Sequence, residues 1–205
     1  MVFPLSGDAL MAISAFLFGK MPAHGDFVAR GLSAEAEACW DSWAAGEIET
    51  AQRRWGDRFG EIHQAAPPAR LIAGPGPLGE GWRAGALVAS VDAVGRRFIL
   101  AAGVHAMSAV DAIACGSRVA QQVESLLYQS IADGRDADAA MLALAATSVE
   151  GLEPAVCRAL SVEVGGEGAW WCPDAPDVVG TGSTPPAGFL GALLDLGSAG
   201  QGVPP

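Results

Sequence analysis

Two stretches constrain this chain more than any other, "RAGALVASV" (83–91) and "RFILAAGV" (97–104). Both are almost continuously apolar. Each is far shorter than the ~20 residues that cross a bilayer. A strand with one wet face alternates polar and apolar residues, and these do not. They predict central strands covered on both faces. The five residues between them, "DAVGR" (92–96), contain one glycine and predict a hairpin, so the two strands are antiparallel. Such a pair needs helices above and below it.

The rest of the chain supplies those helices. Ser33 is placed as an N-cap, and Glu35 and Glu37 suit the positive end of a helix dipole. Ala36, Trp40, Trp43, Ile48, Ala51 and Trp55 then recur near the helical period, with Gly46 weakening the middle. A short helix is expected around 57–65, before Pro67-Pro68. After the hairpin, Ser108 and Asp111 form a capping-box variant ahead of the stripe Val110, Ile113, Ala120, Val123, Leu127 and Ile131, and Gly134 stops that helix. An Ala-rich helix (136–146) and a final one, "GFLGALLD" (188–195), complete the set.

Further strands are expected at 13–18 and 69–73, with a second hairpin pairing "ALSVEV" (159–164) with "AWWC" (169–172) across "GGEG". The fold class is therefore α/β, a three-layer α/β/α sandwich with a mixed, mainly antiparallel central sheet. One domain spans 11–196, with an N-terminal extension (1–10) and a disordered tail (197–205).

Charge narrows the function. The chain carries 23 acidic and 12 basic residues, a net charge of −11, and Lys20 is its one lysine. An acidic surface repels phosphate backbones and anionic lipids, which argues against nucleic-acid and membrane partners. No integral membrane segment is expected. The first twenty residues lack the basic start of a secretory signal, so a cytoplasmic location is expected. Cys39, Cys115, Cys157 and Cys172 are scattered with no C-x-x-C spacing and read as free thiols, with no metal and no cofactor implied.

Several stretches invite a chemical reading. "GPGPLG" (74–79) matches G-x-G-x-x-G, but Pro75 and Pro77 have no N–H to offer a phosphate, and a strand follows rather than a helix. "KMPAHGD" offers Lys20, His24 and Asp26 in one turn-forming segment, without a nucleophile or a paired-histidine spacing beside them. In "SVDAVGRRF" (90–98), Asp92 and Arg96 flank the hairpin turn, either pairing across it or presenting arginines to a ligand. Trp170 and Trp171 are adjacent on a strand and must point to opposite faces. His63 and His105 read as structural histidines. Two functions are compatible with these residues: a binding domain, or a small hydrolase or phosphate-binding enzyme using Lys20, His24, Asp26, Asp92 and Arg96.

Three of these stretches, in this order and spacing, resemble the TagF family of accessory proteins of bacterial type VI secretion. The likeness runs through Phe18, Gly19, Lys20, Pro22, Gly25, Asp26, Phe27 and Val28, then Ser90, Val91, Asp92, Gly95, Arg96 and Phe98, and finally Trp170 and Trp171. The chain departs from the family where it has Ala69-Arg70-Leu71 at a strand start, and Ala89 and Ile99 where prolines are usual. The resemblance implies a non-enzymatic, post-translational repressor acting in the cytoplasm by contact with the forkhead-associated scaffold protein, Fha. It marks Lys20, Asp26, Ser90, Asp92, Arg96, Trp170 and Trp171 as motif or binding residues, and the chemistry of the first loop adds His24. The two motif loops are expected to lie close together.

Overall fold

The computed structural model describes residues 14–107, 109–147 and 167–200. The apolar pair forms as expected. β4 (Trp82–Val91) and β5 (Arg97–Met107) run antiparallel with Leu87 opposite Ala101. β1 (Ala15–Gly19) lies against the other edge of β5, and β2 (Val28–Arg30) folds back on β1. On the far side, β3 (Ala69–Ala73) pairs with β4, then come β6 (Gly168–Cys172) and β7 (Ala175–Thr181). The order is β2-β1-β5-β4-β3-β6-β7. Every pairing among the described strands is antiparallel, so the mixed component is absent there.

Helices cover both faces. On one lie α1 (Ala34–Trp55), a 3-10 turn (Gly56–Arg58), α2 (Phe59–Gln64) and α5 (Phe189–Gly200); on the other lie α3 (Ala109–Ala132) and α4 (Ala137–Ala145). Period-two alternation divides the strands between two cores. Phe16, Phe18, Leu87 and Ala101 meet Trp40, Ile48 and Leu193, while Leu17, Val88, Leu100 and Ala102 meet Val119, Val123 and Leu127.

Helix ends follow local chemistry. The Ser33 hydroxyl accepts the Ala36 N–H at the start of α1, and α1 runs unbroken through Gly46. The Asp136 carboxylate accepts the Ala139 N–H at the start of α4. α5 has no capping side chain of its own: Glu47, from α1, accepts the N–H groups of Gly188, Leu190 and Gly191.

Two expectations change. β6 has β3 on one side and β7 on the other, so a hairpin with 159–164 has no free edge to use. The actual hairpin turns at Pro173-Asp174 into β7, a strand the composition did not announce; 159–164 itself lies outside the described residues. α5 continues through Gly200, four residues into the stretch expected to be disordered. The capping role of Ser108 also falls outside the described residues.

Candidate functional site

The β4–β5 hairpin and the segment between β1 and β2 meet at one end of the sheet. Gly19, at φ 127°, permits the close approach: a Cβ there would run into the Ile99 carbonyl. Lys20 then donates its N–H to that same carbonyl at 3.0 Å. Gly95, at φ 82°, supplies the left-handed residue that the five-residue loop needs.

Asp92 is the centre of this end. Its Oδ1 accepts the N–H groups of Val94 (3.1 Å) and Arg96 (2.8 Å). Its Oδ2 accepts Arg96 Nε at 2.6 Å and lies 3.1 Å from Lys20 Nζ. Both oxygens of the buried carboxylate are thereby doubly engaged. Burial alone would raise its pKa. The Arg96 backbone and guanidinium, Lys20 and the Val94 N–H outweigh that and hold the carboxyl well below the usual range.

The second loop is tied in by its backbone. Arg96 Nη2 donates to the Gly25 carbonyl at 2.6 Å, and Ala93 N–H donates to the His24 carbonyl at 2.8 Å. His24 also reaches the opposite helix layer, where its Nε2 accepts the Ala137 N–H at 2.9 Å, at the first turn of α4. That role needs an unprotonated Nε2, hence the tautomer with its proton on Nδ1. Lys20 Nζ lies 5.0 Å from the Phe27 ring centroid and 6.0 Å from that of Phe98, and these rings meet edge to face at 4.8 Å. The two motif loops are one structural unit, as expected.

The sequence-derived residues thus separate by exposure. Lys20, Ser90 and Asp92 are buried, while Asp26 is exposed and spends one oxygen on the Phe27 N–H. Trp170 (0% exposed) and Trp171 (6%) point to opposite faces, and both are in the core. Neither is displayed, because a helix layer covers each face. The unit displays a mixed surface: Asp26 and Arg96 are exposed, and beside these charges Phe27 is 48% exposed and Val94, at the hairpin tip, 73%. Neither Phe27 nor Val94 was among the candidate binding residues, although Phe27 lies within the motif, because a lone exposed apolar side chain has no pattern of its own.

Sequence reasoning also missed Arg83. This residue is 1% exposed, and its only hydrogen bond among the described residues is from Nη2 to the Gly81 carbonyl at 2.7 Å. Burial lowers its pKa to about 10. The period of β4 puts it on the α1 face with His105, whose pKa burial and the Arg83 charge lower to about 4 against a hydrogen bond with the Gly31 backbone. His63 is the structural histidine expected: it is buried and its Nε2 lies 2.8 Å from the Phe98 carbonyl. No cluster of metal-binding side chains occurs among the described residues. Nor is any helix among them long and apolar enough to cross a membrane.

Fold and site together define an antiparallel α/β/α domain whose two motif loops are locked by a buried carboxylate. The chain belongs to the family of the TagF N-terminal domain, type VI secretion system-associated, whose model matches residues 17–147. That span includes the whole Asp92 unit. Among solved structures, the chain is similar to PA0076 from Pseudomonas aeruginosa PAO1, with 25% identity and a TM-score of 0.65 over 88% of this chain and 94% of that one. No curated protein matches the sequence.

Proposed function

We propose that this domain acts by binding a protein rather than by catalysis. Its partner is the forkhead-associated scaffold of type VI secretion, and binding in the cytoplasm represses the system after translation. The observation that carries this reading is the exposure of Phe27 and Val94 on two loops that Asp92 holds rigid. Exposed side chains on loops already fixed in shape lose little entropy on docking, which favours recognition. Family membership supports the link to type VI secretion.

The rival hydrolase reading has less support. A general base or nucleophile needs a free lone pair, and Asp92 has its oxygens engaged by two cations and two N–H groups. The His24 Nε2 lone pair is taken by α4. Titration of the purified chain against the scaffold tests the proposal. Phe27→Ala and Val94→Asp are expected to weaken binding at least tenfold while both variants stay folded at the assay temperature. Wild-type affinity in both folded variants would move the interface elsewhere, and absence of wild-type binding would remove this partner.

A further inference from the structure

The β3–β4 ladder stops before β4 does. Ala69 pairs with Leu87, and the same register would set Pro67 opposite Ala89. Proline has no N–H, so Pro67-Pro68 cannot continue the ladder. The remaining residues of β4 keep their partners on β5, with Ala89 opposite Ile99 and Val91 opposite Arg97. Asp92 N–H donates to the Arg96 carbonyl, so even-numbered residues at this end of β4 turn their backbone groups toward β5. Ala89 and Val91 therefore turn theirs the other way, where no described residue pairs with them. Both become half-buried there, whereas the preceding six residues of β4 are buried.

This edge lies inside a slot. A cavity of about 350 Å³ is lined by His63, Gln64 and Arg97 toward the α2 layer, by Ile131 of α3, and by Ala89 and Val91 between them. It occupies the position that β3 would fill if it were longer. Ser90, also on the cavity wall, has a buried hydroxyl without a hydrogen-bond partner among the described residues. Arg97 is exposed, packs over Gly60 and forms no ion pair among the described residues.

We infer that this slot receives an extended, carboxylate-bearing peptide segment of the protein partner, added as a short strand to the edge of β4. Backbone groups of the segment pair with those of Ala89 and Val91, and one acidic side chain meets Arg97. The opposite side chain of the segment faces Ile131 and Ser90, following the period of a strand. The slot opens at the base of the hairpin that carries Val94, so one partner can engage both. The inference rests on the reading of this domain as a protein-binding module.

The test uses the full chain, a phage library of random octapeptides, and the forkhead-associated scaffold as a separate ligand. Selected peptides are expected to contain Asp or Glu within a β-prone run and to slow hydrogen exchange at the Ala89 and Val91 amides. Val91→Pro removes one outward N–H without touching the ladder to β5, and Arg97→Glu reverses the charge. Each is expected to weaken peptide binding at least tenfold. If Val91→Pro does not fold, Arg97→Glu and the exchange measurement still decide. No enriched peptide, or binding without protection of those two amides, overturns the slot. Scaffold binding that leaves the two amides exchanging freely overturns the slot but keeps the proposed partner. Peptide binding without scaffold binding keeps the slot and overturns that partner.

Discussion

At the level of single residues, two buried charges behave in opposite ways. Asp92 is compensated by Lys20, Arg96 and two backbone donors, so removing one partner leaves charge behind. Lys20→Met is expected to cost about 1.5–3 kcal/mol, the range for a hydrogen bond to a charged group, read as a lower urea midpoint with unchanged slope. Arg83 has no such compensation, and two of its three nitrogens are buried without partners among the described residues. Arg83→Met is therefore expected to raise the melting temperature, by the equivalent of about 1–3 kcal/mol. It also removes the smaller of the two causes that lower His105, the larger being burial. His105 has a folded pKa of about 4, below the ordinary value of 6.5. Between these values the unfolded chain binds more protons, so the stability from neutral His105 is complete above pH ~6.5 and is lost as pH falls to ~4. With its partial exposure discounted, that loss is on the order of 1–3 kcal/mol. Urea titrations from pH 7.5 to 4.5 are expected to show it, and His105→Gln to flatten the profile. The contribution of Asp92 has the same sign in a separate window: it holds down to the ordinary carboxylate range and fades only below it.

At the level of elements, legibility followed pattern. The β4–β5 hairpin, the Ser33 cap and the opposed Trp170 and Trp171 were readable because apolar period, cap chemistry and strand alternation are local signals. β7 was not, because "APDVVGT" (175–181) carries Pro, Asp and Gly and reads as a loop; its position beside β6 makes it a strand. The end of α5 was hidden for a related reason. "GSAG" (197–200) has poor helix propensity, and tertiary packing overrides it: Gly197 fits directly against the Ala65 backbone, where a Cβ would be crowded. Of the site, the residues were legible and their bonding was not, since Gly25, His24 and Ala137 are joined across long sequence separations. Glu47 belongs to that class of long-range cap. Glu47→Ala leaves three N–H groups of α5 without their acceptor and is expected to cost about 1–2 kcal/mol. Hydrogen exchange is expected to quicken in the first turn of α5 while α3 stays protected.

At the scale of the whole molecule, the sheet is closed between two helix layers, and this separates aromatic residues that hold the fold from those that meet a partner. Trp170 touches Trp40 and Phe189 within the α1 core, with ring centroids 5.8 and 6.5 Å apart. Its Nε1 donates to the Gly182 carbonyl at 3.0 Å. Phe27 instead lies over Lys20 at the rim, half in solvent. Truncating Trp170 opens a cavity in a close-packed layer and strands the Gly182 carbonyl, so Trp170→Ala is expected to lose about 3–5 kcal/mol. Truncating Phe27 removes a partly solvated ring, one cation–π contact and the edge-to-face contact with Phe98, together about 1–2 kcal/mol. Binding runs the other way if the exposed rim is the interface. Phe27→Ala is expected to weaken association with the scaffold while remaining folded. Trp170→Ala, assayed below its own melting temperature, is expected to bind like the wild type. Affinity lost in folded Trp170→Ala and kept in Phe27→Ala would mean that the partner reads the α1 core through a rearrangement, and the rim would cease to be the docking surface. The pair of measurements therefore decides whether this domain presents a finished surface or must open to bind.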